Sequence, residues 1–535
     1  MNLMNDPWIP VRCVDGHTRR IRPHELTMTD NPVVALDAPR PDFNGALAQF
    51  LIGLLQTVCA PVDEEQWEEW LWSPPTPDTL RQQFEPLAAC FQLDGDGPRF
   101  MQEFDRTFDG KPIPTPVSDL LIEAPKGADL FVKYGTVRGL CSSCAAASLW
   151  TLQLNAPEGG RGHFTSLRGG GPLTTLVLFD ENAVPKGEPV TLWHDLWLNV
   201  LERAAFISGS TVTSDQPPQW FPWLGPRQNG YSGRISAADA HPAVVFWAMP
   251  RRVCLDFNAT VQGDCDVCGA ISVELVTDCQ TRPNGTKYED WLHPLSPYYL
   301  NDKKTWLPSH PRGGFSYRWW PELVTGREDR RIAKVIQIFH RRRLENTQFR
   351  VWAFGYHLDK NKPLCWYEAR LPLLELADES KRLYLAEFAQ KWVEASDEAR
   401  NMLSSALKQA WFKRPKDVKG DMSAIQLAFS NQTESAFYQG LRTFVEALQT
   451  DCDLQDVQQK LNQEWHTYLV QQALALFDQW AAAGEWEYEN PKRLADAHHF
   501  LRRTLYGRAF KSKLGLAPPP DPDSKSRKGQ KRKKS

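Results

Sequence analysis

The sequence predicts an α+β fold: a large mixed α/β N-terminal domain with a four-cysteine zinc site, followed by a C-terminal four-helix bundle. Three observations lead there. A chain of 535 residues is too long for one hydrophobic core and implies two or three domains. Short β-like runs and turns give way near Glu375 to a proline-poor stretch with strong helical spacing. Two Cys-x-x-Cys pairs stand far apart in the first part and together offer four thiolates. The expected boundaries are 1–372 for the α/β domain, 373–515 for the bundle and 516–535 for a disordered basic tail.

Elements follow in chain order. Asp6-Pro7-Trp8-Ile9-Pro10-Val11 reads as a short strand bracketed by prolines, and helical periodicity runs from about Asn44 to Trp72. Within it, Ala46–Ala60 is the most apolar stretch; Gln49 and Gln56 interrupt it, and it is too short to span a bilayer. It is expected to be a buried helix. "KPIPTPVSDL" cannot be one helix, because Pro112, Pro114 and Pro116 lack amide donors, so a loop or surface crossing is expected there. Leu173–Phe179, "LTTLVLF", reads as a buried strand, and Ile332–Arg343 as a helix with a basic end. Past the boundary, Leu385, Phe388, Trp392, Ala399, Met402, Leu403, Ala406 and Ala410 form one apolar stripe. Further helical segments lie near 421–447, 453–483 and 490–514, completing a four-helix pattern.

Composition narrows the function. Net charge is −3, so any nucleic-acid binding must come from local patches. The 21 tryptophans are expected mainly in core and loop packing. Eleven cysteines without a secretory signal point to a reducing cytoplasm, with no membrane contact. Cys141-Ser-Ser-Cys144 and Cys265-Asp-Val-Cys268-Gly269 fit two zinc knuckles. Such a shell is structural, since four cysteines leave no open position for water. Cys254 and Cys279 flank the second knuckle at irregular spacing and are not expected as ligands. No His-x-Glu accompanies the cysteines, which disfavours a zinc deaminase, and His194-Asp195 reads as a structural or surface pair.

Three further segments carry chemistry. "APEGGRGHFTSLRGGGP", Ala156–Pro172, holds six glycines but no Gly-Lys-Ser/Thr, so it is not a phosphate-binding P-loop. It reads as two loops. Gly159, Gly160 and Gly162 lay bare backbone, while Gly169, Gly170 and Gly171 turn into "LTTLVLF"; Arg161 and Arg168 are candidate phosphate contacts. Pro283-Asn284-Gly285 is a turn between Arg282 and Lys287. Val351–Tyr356 and Leu364–Ala369 flank Asp359-Lys360-Asn361-Lys362-Pro363, a hairpin with a polar, basic tip. Arg327, Arg330, Arg331, Arg341, Arg342 and Arg343 form a further basic set.

In order along the chain, "NDPWIPV", "LCSSCAAASLW", "NAPEGGRGHFTSLRGGGPLTT", "CDVCG", "HPLSPY", "FGYHLDKNKPLCWYEA" and "RRTLYGRAF" resemble the CasA-type large subunit of the type I-E CRISPR Cascade complex. The resemblance implies a non-catalytic subunit of an RNA-guided surveillance complex. It implies that the chain recognises the protospacer-adjacent motif in duplex DNA, starts strand separation and helps recruit a separate helicase–nuclease. Its other partners would be the guide crRNA 5′ end and the backbone and small Cascade subunits. The resemblance assigns Gly159, Gly160, Arg161 and Gly162 to a minor-groove glycine loop. It assigns Arg282, with Lys287 second, to a basic finger where relatives more often carry lysine. Asn361 and Lys362 fall at the tip of a strand-splitting wedge, often glutamine in relatives. Phe131, Val132 and Lys133 fit a loop that holds the guide RNA and target duplex. The residues alone also admit a zinc-ribbon nucleic-acid hydrolase or a protein-only scaffold.

Overall fold

The computed structural model describes residues 1–108, 110, 112–123, 135–180, 189–207, 212, 215–226, 234–342, 344, 347–374, 376, 378–417, 420–450, 452–481 and 490–516. The chain forms two compact units. The first comprises Met1–Phe315 and Glu322–Leu373, and the second Ser316–Pro321 with Leu374 onward.

The first unit is mixed α/β. Its central helix, Pro41–Val58, is buried along almost its whole length, as the apolar run 46–60 leads one to expect. Phe50 is the hub of an aromatic core, with Trp8, Phe91, Phe100, Trp150 and Trp247 edge-on around it at 5.2–6.2 Å. That packing uses three of the 21 tryptophans. The helical periodicity of 44–72 resolves into two helices. The second, Glu64–Trp72, starts where Asp63 caps the amide of Gln66 at 2.9 Å. The expected N-terminal strand is Ile9–Cys13, the middle of a three-stranded antiparallel sheet.

The proline-rich loop expected at 112–116 is instead a strand. Ile113–Pro116 pairs antiparallel with Asp278–Arg282 at the edge of a three-stranded sheet. An edge strand needs donors on one side only, so alternating prolines are tolerated there. The helix expected over 332–343 is confined to Lys334–Phe339, and Arg343 lies outside the described residues.

A second antiparallel sheet carries the hairpin. Phe349–Asp359 lies between Lys362–Leu373 and the fully buried strand Thr174–Phe179. Side chains cover the outer edge of that last strand. Asn199 bonds both the amide and the carbonyl of Val177 at 2.8 Å, and Asp195 accepts from the amide of Phe179 at 3.0 Å. His194, packed against Thr191, is driven down to about 4 by burial. The His194-Asp195 pair is therefore structural.

The second unit is helical. Glu379–Trp411, Ser423–Gln449, Leu454–Ala481 and Pro491–Leu505 pack on one another, and Asp378 caps the first. Of the expected stripe, all but the partly exposed Met402 are buried. Trp392 and Trp465 stack 4.8 Å apart and nearly parallel at the centre. Ser316–Pro321 threads into this unit, where the Tyr317 hydroxyl meets Ser396 and Thr433 and its ring stacks on Phe437. Among the described residues, no helix is long and apolar enough to cross a membrane.

Candidate metal centre and nucleic-acid interface

The two cysteine pairs meet. Cys141 and Cys144 begin the helix Ser142–Asn155, and Cys265 and Cys268 sit in the turn between strands Val261–Asp264 and Ile271–Leu275. Their four sulfurs lie within 4.8 Å of one another, with Cys141 and Cys268 3.7 Å apart. A tetrahedron with metal–sulfur bonds of about 2.3 Å has edges of about 3.8 Å, so the residues fit a four-thiolate metal site. Hydrogen bonds with Cys141 and Cys265, then burial, raise the Cys144 thiol, while Cys265 is lowered as it accepts from Cys141 and Cys144. A divalent cation would let all four deprotonate. Backbone contacts knit the same junction. Asp266 accepts from the amides of Arg138 and Gly139 at 2.6 and 2.9 Å, and Leu140 pairs with Val276. Arg20 lies outside the shell, 3.4 Å from the Cys268 sulfur. Cys254 and Cys279 stand on paired strands away from the cluster.

The knuckle helix leads directly into the glycine segment. Gly159 donates to the carbonyl of His163, and His163 donates back to that of Gly160, both at 3.0 Å. This closes a tight turn. Gly160 is exposed with φ +91°, and a Cβ there would meet nothing within 4 Å. The amides of Gly160, Arg161 and Gly162 have no acceptor among the described residues. Gly162 is different. Its carbonyl accepts from the amides of Asn284 and Gly285 at 2.8 and 3.3 Å, and a Cβ would stand 2.6 Å from the Asn284 nitrogen. Gly285 in turn lies so close to the carbonyl of Pro250 that no side chain fits.

The hairpin tip reaches the same place. Lys360 and Asn361 have φ of +47° and +66°, a tight two-residue turn built without glycine. The Asn361 amide group donates to the Glu158 carboxylate at 3.0 Å. Thus the glycine loop, the Pro283-Asn284-Gly285 turn and the hairpin tip, which the sequence separates widely, form one patch. Arg161, Lys360, Asn361 and Lys362 are exposed on it. Arg251 runs beneath it. One of its terminal nitrogens donates to the carbonyl of Pro157, the other lies under Gly159, and burial lowers the guanidinium to about 10. Burial and then the charge of Arg251 hold His163 below the usual histidine range.

Other expected residues fare variously. Arg282 is partly buried with its guanidinium against Gly110, and Lys287 pairs with Glu289 at 2.7 Å. Arg168 is not a phosphate contact. It is buried and bonds Gln49, Thr174 and Ser296, so its charge never reaches the surface. Most of the basic set 327–342 is engaged locally: Arg327 with Asp329, Arg330 with Glu322, Arg342 with Glu202, and Arg331 over the Trp306 ring. Phe131, Val132 and Lys133 lie outside the described residues. Sequence reasoning missed Glu158, Arg251 and the direct part of Asn284. Only Asn284 carried a signal, its place in a Pro-Asn-Gly turn.

A family model described as CRISPR-associated protein Cse1 matches residues 2–476. The fold is similar to that of Cse1 from Thermobifida fusca, at 17% identity over 97% of this chain and 98% of that one, with a TM-score of 0.70. It is also similar to CasA (Cse1) from Thermus thermophilus, at 16% identity over 94% and 99%, with a TM-score of 0.64. A chain of a solved CRISPR RNA-guided surveillance complex matches at 14% identity over 95% and 99%, with a TM-score of 0.62. The motif order read from the sequence and the family match agree: this chain is a CasA-type protein of the CRISPR-associated Cse1 family.

Proposed function

We propose that this chain is the non-catalytic large subunit of a type I-E CRISPR surveillance complex that recognises the protospacer-adjacent motif in double-stranded DNA. The observation that carries the reading is the single patch formed by glycine loop, turn and hairpin tip. The minor groove is only about 6 Å wide and presents mainly acceptors. Bare amides at Gly160, Arg161 and Gly162 suit it, because no side chain at Gly160 holds the backbone away. Asn361 and Lys362 then stand beside the groove-reading loop, where a wedge must part the first base pair. Exchange of a DNA duplex for a guide–DNA duplex is nearly balanced, so the protein need only start it.

The remaining assignments go with this reading. Residues 1–372 serve recognition, 373–515 form a four-helix bundle, and 516–535 form a basic tail. Arg282 and Lys287 form the finger, while Phe131, Val132 and Lys133 hold the guide RNA and the duplex. Zinc in the Cys141, Cys144, Cys265 and Cys268 shell ties two remote segments together; elemental analysis of the folded chain is expected to find one ion per chain, and a folded chain without metal overturns this assignment. Likeness to a chain of an RNA-guided surveillance complex supports crRNA and the other Cascade subunits as partners in the cytoplasm. The helicase–nuclease is recruited as a separate protein. A shell of four thiolates would leave no site for a hydrolytic water, which disfavours the zinc-ribbon hydrolase. Gel-shift binding of the guide-loaded complex to duplexes with varied flanks tests the proposal. Affinity that depends on the flanking motif is expected, and indifference to the flank overturns it.

A further inference from the structure

Arg251 is an anomaly in the first unit. Its main chain is hooked to the knuckle helix, where Gln153 bonds both its amide and its carbonyl at 3.0 and 3.1 Å. The Pro283-Asn284-Gly285 turn presses on its neighbour Pro250, and the glycine loop lies on its side chain. All three segments therefore converge on one residue. Most comparable arginines are compensated by oxygen acceptors, Arg99 apart, which bonds the Cys254 sulfur. Arg40 holds Asp42 and Glu123, Arg252 holds Glu103, and Arg342 holds Glu202. Arg168 lacks a carboxylate but engages an amide oxygen and two hydroxyls. Among the described residues, the Arg251 side chain has the Pro157 carbonyl alone. Its buried Nε finds no acceptor, and no carboxylate pairs with it among the described residues. The nearby Glu158 is drawn to Asn361 instead.

Charges withdrawn from water are ordinarily paired, so a partly buried one without a carboxylate leaves room for an anion that arrives later. We propose that Arg251 is the positioning cation of the interface: it holds the glycine loop through Pro157 and leaves its charge for a backbone phosphate of the incoming duplex. This rests on the duplex-DNA reading above. Placed under a thin loop of glycines, the charge acts through a medium less polarisable than water and is screened less than that of exposed Arg161. The end of the knuckle helix also favours a cation there, which by itself would make Arg251 only a structural cap.

Salt dependence separates the two roles. Arg251→Gln keeps a donor for Pro157 and removes the charge, whereas Arg251→Lys keeps the charge and loses the fork. Each variant is assembled into the guide-loaded complex and titrated with motif-bearing and motif-free duplexes across a range of salt. For Arg251→Gln we expect affinity for both duplexes to fall about tenfold, and the slope of log affinity against log salt to become shallower by about one. Arg251→Lys should restore the slope. A glutamine variant that assembles and binds with the wild-type slope overturns the proposal, as does a lysine variant that assembles with the shallow slope. If the wild-type complex binds duplex no better than a complex lacking this chain, the duplex reading itself fails.

Discussion

A methyl group added at Gly160 would project into open space, while one added at Gly171 would fall 2.7 Å from the Tyr356 Cβ. The two glycine runs are a few residues apart and alike in composition. At the second run, Gly169 lies on His310, Gly170 against Leu358 and Pro157, and Gly171 against Tyr356, so backbone packs where side chains cannot. At the first run, Gly162 is wedged beside Asn284, but a side chain at Gly160 would touch nothing. At the packed run glycine is required because the protein is already there; at Gly160 the positive φ favours it, and the duplex reading proposed above adds a reason for keeping that space open. The contrast shows that glycine content marks close approach without saying by what.

The contrast can be broken most forcefully at the packed run. Gly170→Asp would set a carboxylate against Leu358 and Pro157, and a stability loss of roughly 3 kcal/mol or more is expected from overpacking and burial of a charge. Urea unfolding of the purified chain reads it directly. At the open run, Gly160→Asp should abolish motif-dependent duplex binding, while backbone strain at positive φ costs only about 1–2 kcal/mol of stability. Loss of folding there, or retained motif preference, would erase the distinction between the runs.

A smaller effect is expected at the hairpin tip. Asn361→Ala with Lys362→Ala should slow opening of the first target base pairs, followed by fluorescence of a base analogue, with little change in complex assembly. Failure of assembly instead would show that the tip is a subunit contact. The smallest effect is in pH. His163 at the open run and His310 at the packed run are both held below the ordinary histidine value, chiefly by burial. The unfolded chain takes up protons near pH 6.5 while the folded chain resists. Stability is thus full above about pH 6.5 and falls as pH drops toward the folded values. His310→Gln and His163→Gln should each flatten this acid loss, read as a shallower fall of unfolding free energy below about pH 6.5.

Legibility in the sequence followed the range of the interactions. The cysteine pairs were legible because the spacing within each knuckle is local. So were the buried strand before Asp180 and the hairpin centre, although pairing extends the hairpin to Phe349–Asp359 and Lys362–Leu373. Arg168 was misjudged because its position beside glycines suggests a surface loop, yet Gln49, Thr174 and Ser296 satisfy it inside. Arg251 could not be found, since nothing local distinguishes it and its loop partners lie far back along the chain. The proline strand at 113–116 was missed because its pairing partner, not its own propensity, makes it a strand.

The passage of Ser316–Pro321 through the helical unit has a consequence for handling the protein. Three peptide bonds, not one, join the two units: after Phe315, after Pro321 and after Leu373. A single proteolytic nick after Leu373 would therefore yield a split protein whose halves stay together, with the Tyr317 strap of the larger fragment still gripped by the smaller. A helical fragment expressed from residue 374 would start life with that slot empty. Supplying 316–321 as a peptide, or by circular permutation, is the way to make it complete.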